Sequence, residues 1–226
     1  MSLDTQLFLL AWGTLVGLDL VSVPQMMIAR PLVAGPIAGA ILGDVPIGLE
    51  LGVLFELFQL DILPMGATRY PEYGPATVAA VSVAHAAGNV AAGLGLGALV
   101  GLITAMVGGL TLHAIRVLNA RAVHRATAAL EAGDASVLAR LHVTAIGRDA
   151  ARAAFVTAVG LGLASVTREY LGGTLPPRGV TFLNVAAVGA ALAAGTAGTL
   201  RLVGRGPGFR WFAAGVISGV VVAWLR

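Results

Sequence analysis

The chain has no cysteine and no lysine, and only 11% of its 226 residues are charged, where a soluble domain carries about a quarter. Without cysteine, neither a disulfide framework nor a thiolate metal site can form. So little charge, beside 58% hydrophobic residues and a mean hydropathy of +0.90, excludes a fold solvated on every side and places the chain in a bilayer. Windows 5–29, 31–60, 74–115, 153–167, 179–200 and 211–225 are apolar. They either reach the roughly 20 residues of a membrane-crossing helix or are short enough to be tilted, re-entrant or half-spanning. The expected fold is all-α: one polytopic helical membrane domain over residues 1–226, with Gly/Pro-broken or re-entrant segments. The first side-chain charge is Asp4, and the apolar run continues past Asp19 to Pro24. The N-terminus therefore reads as a retained membrane segment and not a cleaved signal.

All 14 basic residues are arginine. A sequence pI near 10.2 invites a nucleic-acid partner, but the arginines stand at the ends of apolar runs, where positive-inside orientation accounts for them. No nucleic-acid partner is expected. Residues 116–152 carry Arg116, Arg121, Arg125, Arg140, Arg148 and Arg152 and read as a cytoplasmic segment. It would contain a surface helix around RAVHRATAALEAGD, stopped by Gly133. Arg201, Arg205 and Arg210 form a second basic loop, with an even number of crossings between the two.

Two apolar segments are interrupted by Pro and Gly: RPLVAGPIAGAILGDVP early and LGGTLPPRG late. Paired interruptions point to a transport cavity, because unwound backbone is tolerated at membrane depth only where it lines a cavity or is buried in protein. Gly and Pro are also simply frequent in membrane helices, and both readings stand at this point.

The stretch LGDVPIGLELGVLFELFQLD reads as a helix restart. Gly43 ends one helix, Asp44 caps the next, and Pro46 fits its first turn. At about 100° per residue, Asp44, Gly48, Gly52, Glu56 and Gln59 fall within one stripe roughly 120° wide, with Glu50 on the other side. Gly48 and Gly52 have the small-xxx-small spacing that admits a close helix neighbour. Glu56 is a carboxylate in an apolar helix, a functional-site hypothesis by default, with Gln59 and Arg69 the nearest partners; a structural Glu56–Arg69 ion pair is the competing reading. Pro64, Pro71 and Pro75 then break the helix. The irregular loop 61–75 bears Asp61, Thr68, Arg69, Tyr70, Glu72 and Tyr73. Carboxylates and amides accept from hydroxyls, arginine donates in a fork, and tyrosine offers a flat face. The candidate binding set for a neutral polyhydroxylated ligand is Glu56, Gln59, Asp61, Thr68, Arg69 and Glu72, with the tyrosines also suited to an interfacial belt.

None of His85, His113, His124 and His142 has a metal-ligand or catalytic neighbour at a recognisable spacing. The phosphate-loop, His-Glu-x-x-His and Gly-x-Ser-x-Gly patterns are absent. No catalytic residue, metal or cofactor is expected, and the chain reads as a non-enzyme. His85 and Asn89, one turn apart, can bond each other or a ligand.

The segment RPLVAGPIAGAILGD, the Gly-rich helix with Glu56, the Pro71-Glu72 pair and LHVTAIGRDAARAA around His142 resemble the IIC subunit of the mannose/fructose/sorbose class of the sugar phosphotransferase system. The resemblance implies a multi-pass subunit of the bacterial inner membrane, in a trimeric assembly. It would bind a hexose-like sugar and move it across the bilayer with a IID membrane subunit, while phosphorylated IIA and IIB proteins supply the phosphoryl group. It also implies that Glu56 and the 61–75 loop line the sugar site. Asp61 and Pro64 stand where the family commonly shows Gly and Asn, and Arg69-Tyr70 is added before the Pro-Glu pair. The competing function classes are an ion-coupled secondary transporter or channel, with Glu56 and Asp61 as carriers, and a noncatalytic scaffold.

Overall fold

The computed structural model describes residues 1–60, 62, 68–86, 90–171, 174–203, 209–210, 213–215 and 217–218. The helices are α1 (Leu3–Asp19), α2 (Pro31–Leu42), α3 (Val45–Leu60), α4 (Tyr73–Ala86), α5 (Val90–Arg125), α6 (Thr127–Glu131), α7 (Ala135–Leu171) and α8 (Pro177–Val203), and no strand occurs among the described residues. Three stretches, Gly93–Arg125, Ala135–Leu171 and Pro177–Gly198, are long and apolar enough to cross a membrane. The all-α polytopic expectation holds.

α4 is the hub. It packs against α5, α7, α2, α3 and α1, and Ala76, Val78, Ala80 and Val81 are fully enclosed. Thr77, also fully enclosed, satisfies its hydroxyl on the Tyr73 carbonyl at 2.7 Å, so it packs among aliphatic neighbours without a stranded polar group.

The early interruption becomes an antiparallel hairpin. α2 has 12 residues, about 18 Å at the usual helical rise, too short for the roughly 30 Å of hydrocarbon. Gly43 ends it with φ of 78°, a left-handed conformation that costs glycine little. Asp44 Oδ1 then accepts from Ile47 N–H at 3.3 Å and caps α3, as read from the sequence. The stripe expectation also holds. A Cβ on Gly35 would meet the Gly48 carbonyl oxygen, and one on Gly52 would come within 2.8 Å of the Pro31 carbonyl oxygen, so α2 and α3 approach backbone to backbone. The late interruption differs: it joins two membrane-length helices, α7 and α8, and does not form a matching hairpin.

Three other expectations need correction. The run 5–29 is not one helix. The Asp19 carboxylate takes Met26 N–H at 2.6 Å and Ala29 N–H at 3.0 Å, which holds residues after α1 in a loop. The surface helix expected within 116–152, around RAVHRATAALEAGD, is not one separate element: its first part is the end of α5 and its second part is α6. α5 and α7 have 36 and 37 residues, about 55 Å each, so both extend well past a bilayer's apolar depth. α6 alone bridges them, and Gly133, with φ of 78°, provides the stop. Nor is Arg152 a loop cation, because it is 5% exposed. Arg205 and most of 211–225 lie outside the described residues.

Candidate functional site

A cleft opens where α1, the α1–α2 loop, the end of α3 and the start of α4 meet. Leu20, Arg30, Gln59, Tyr70, Glu72 and Tyr73 contribute to its wall, around a cavity of about 90 Å³. Glu56, 7% exposed, stands behind that wall. One carboxylate oxygen pairs with an Arg30 Nη2 donor, and the other accepts from Leu32 N–H at 3.3 Å. Arg30 at the N-cap of α2 offers no side-chain cap of its own. Glu56 from the antiparallel neighbour therefore places a carboxylate at the positive end of α2, satisfying a donor that has no intrahelical partner. The Arg30 side chain keeps 44% exposure and presents its remaining guanidinium donors at the cleft.

Glu72 anchors the opposite side. Arg152 Nη1 and Nη2 bind its two carboxylate oxygens, the latter at 3.1 Å, while Nη2 also donates to the Gly17 carbonyl at 3.1 Å and Nε donates to Asp149 Oδ1 at 2.7 Å. Ser22 donates to the other Asp149 oxygen at 2.5 Å. One guanidinium thus ties α1, the loop before α4 and α7, and Asp149 extends the tie to the α1–α2 loop through Ser22. The loop before α4 is pressed onto α5: Glu72 N–H donates to the Ala105 carbonyl at 2.9 Å. A Cβ on Gly109 would meet the Tyr70 carbonyl oxygen, so side-chain-free backbone is what permits the approach. Arg116 completes the latch, donating to Tyr70 Oη at 2.6 Å and the Thr68 carbonyl at 3.3 Å, with its guanidinium 5.1 Å from the Tyr70 ring centre.

The six residues expected at a binding site therefore separate. Gln59 and Glu72 line the cleft, and Glu56 supports Arg30 behind it. Thr68 and Arg69 are exposed beside α5, where Arg69 Nη2 and His113 Nε2 lie 3.2 Å apart; Arg69 is not the partner of Glu56. Asp61 lies outside the described residues. Both tyrosines stand in the cleft wall and are fixed from behind: Tyr73 packs 5.8 Å from Phe55 and 6.0 Å from Phe58 by ring centres, and Tyr70 is held by Arg116. His85 Nδ1 sits 3.4 Å from Asp44 Oδ2, while Asn89 lies outside the described residues.

Arg30, Asp149 and Arg152 were missed as site residues. Asp149 and Arg152 did carry a local signal, an i, i+3 ion pair at the head of an apolar run, which neutralises itself before entering a low-dielectric environment. No group of three His, Cys, Asp or Glu side chains suited to a metal occurs among the described residues.

Comparison with known proteins decides the lineage of this arrangement. The family model of the PTS system sorbose-specific IIC component matches residues 5–223. The chain belongs to this IIC family. The IIC chain is 30% identical over 144 residues to the fructose permease IIC component of Bacillus subtilis (strain 168), covering 63% of this chain and 52% of that protein. It is 27% identical over 140 residues to the mannose-specific EIIC component of Escherichia coli (strain K12), covering 62% and 51%. The IIC chain thus matches about half the length of these curated relatives. Its fold is similar to a chain in the cryoEM structure of the mannose transporter ManYZ with microcin E492, at a TM-score of 0.60 and 20% identity, covering 97% of this chain and 87% of that one. A structure described as a membrane protein gives a TM-score of 0.74 at the same identity and coverages. The shared architecture extends over nearly all of the IIC chain.

Proposed function

We propose that this IIC chain is a noncatalytic membrane subunit that binds a hexose-like sugar in the cleft beside Arg30 and carries it across the bacterial inner membrane. A IID membrane subunit works beside it, in a trimeric assembly, and phosphorylated IIA and IIB proteins modify the sugar. The match to the sorbose-specific IIC family over residues 5–223 carries this reading. The cleft supports it chemically: Arg30 supplies donors and Gln59 supplies donors and an acceptor, a mixture that answers vicinal hydroxyls, while Glu72, enclosed and held by Arg152, fixes the wall beside them. Glu56 acts through Arg30, fixing the guanidinium that faces the sugar. Thr68 and Arg69 belong to the loop that leads into the cleft wall at Tyr70.

An ion-coupled carrier would need a carboxylate free to load and unload. Of the two carboxylates that such a carrier would use, Glu56 is held by arginine, which favours a sugar site over a proton relay there, and Asp61 lies outside the described residues.

The test is calorimetric titration of the folded, partner-assembled complex with candidate hexoses. Arg30→Gln and Glu56→Gln each weaken a charge-assisted hydrogen-bonding group, so affinity should fall roughly tenfold to a hundredfold. Unchanged affinity in both variants, with assembly intact, removes this pair from the sugar site.

A further inference from the structure

A second cavity, of about 530 Å³, lies between the α1–α2 loop and the lengths of α5 and α7 that run beyond their apolar stretches. Its size falls within the roughly 300–1,000 Å³ of ligand sites. The polar wall consists of Ser22 and Gln25 from the loop, Arg116 and Asn119 from α5, and His142 and Asp149 from α7.

The hydrogen-bonding capacity of this wall is biased towards donors. Asp149 is the one carboxylate lining it, and its oxygens already accept from Arg152 and Ser22. The Asn119 oxygen accepts from Arg148 Nη1 at 3.0 Å, which leaves its amide NH2 as the group on offer. Arg116 spends two donors on Thr68 and Tyr70 and has five in all. Gln25 and His142 add N–H donors. The surrounding field has the same sign: residues 113–148 contain five arginines against Glu131 and Asp134, and Asp134 is engaged at the start of α7. A cavity with surplus donors, positive surroundings and its carboxylate already neutralised favours an oxyanion over a cation or a neutral ligand.

We propose that this cavity is a binding site for a phosphate-bearing anion, held by Arg116, Asn119 and His142. The site is separate from the sugar cleft, and the proposal does not rest on the sugar reading. The phosphate can come from a soluble phosphate or from an anionic lipid headgroup, since both present the same oxygens to the same donors.

The test uses the full chain in neutral detergent, titrated with inorganic phosphate against chloride at equal ionic strength, which removes general screening. In parallel, thermal unfolding is compared in nanodiscs of phosphatidylglycerol and of phosphatidylcholine. Saturable phosphate binding, weakened roughly tenfold or more by Arg116→Gln, supports a soluble source. A rise in unfolding temperature confined to phosphatidylglycerol, and lost in the variant, supports a headgroup. Because Arg116 also holds Tyr70, the double variant Asn119→Leu, His142→Leu is measured alongside; it leaves that latch in place and should lose the same response. Absence of saturable binding and of lipid-dependent stabilisation overturns the proposal, as does a response equal to wild type in both the Arg116 and the double variants.

Discussion

Arg152 on α7 grips both carboxylate oxygens of Glu72, 80 residues earlier in the chain, with side-chain exposures of 2% and 0%. The pair is a junction more than a net source of stability, because desolvating two charges offsets much of their attraction. Removing one partner is costly. Arg152→Leu strands Glu72 and Asp149 together and should destabilise the chain by about 3–5 kcal/mol, read as unfolding in detergent by size-exclusion chromatography against temperature. Arg152→Leu combined with Glu72→Gln and Asp149→Asn should recover part of that loss; recovery of none would show that packing and not stranded charge is responsible.

Glu56 and Arg30 should couple, and Glu56 and Arg69 should not. In a double-mutant cycle on thermal stability, Arg30→Gln with Glu56→Gln should give a coupling on the order of 0.5–1 kcal/mol, kept small because Arg30 is 44% exposed. The same cycle with Arg69→Gln should give none. A larger coupling to Arg69 than to Arg30 contradicts the observed pairing.

Two glycine substitutions should have opposite signs. Gly48→Ala drives a methyl group into the Gly35 carbonyl, and backbone cannot move aside as a side chain can, so α2 and α3 should separate at a cost of about 1–3 kcal/mol or more. Gly147 lies in α7 with nothing near its added Cβ; Gly147→Ala should stabilise the helix by about 0.5–1 kcal/mol. Unfolding midpoints of the two variants, measured side by side, check both directions.

The start of α7 should be acid-sensitive. The Ser136 hydroxyl, with the Val137 and Ser136 backbone N–H groups, holds the Asp134 carboxyl below its ordinary value of 3.8. A lowered folded-state value means the cap's contribution is complete above the unfolded value and is lost as pH falls through the folded one. Hydrogen exchange at Val137 and Leu138 should therefore stay protected at neutral pH and accelerate in strong acid beyond its intrinsic pH dependence. Asp134→Ala should show the faster exchange at neutral pH too.

Orientation follows from the arginine-rich ends of α5 and α7, which are costly to translocate. Ala132 and Ala135 are exposed in a chain without cysteine. Single cysteines there should resist an impermeant thiol reagent in intact cells and react after permeabilisation. Ready labelling from outside would reverse the assignment.

What the sequence by itself determined is what depends on neighbours along the chain. Scarce charge and long apolar runs required a membrane fold. Gly43 and Asp44 marked a helix stop and restart because φ preference and capping are local. Helical periodicity put Gly48, Gly52, Glu56 and Gln59 on one stripe before any partner was known. The tertiary structure decided the partners. Glu56 chose Arg30 across 26 residues over the nearer Arg69, because the α2–α3 hairpin folds α2's unsatisfied N-terminus back against it. Asp19 turned an unbroken apolar run into a loop by taking two backbone donors. Arg152 left the basic segment for the interior because Glu72 and Asp149 converge there from different elements. Charge complementarity in a low-dielectric environment is satisfied through space, and spacing along the chain does not encode which charges will meet.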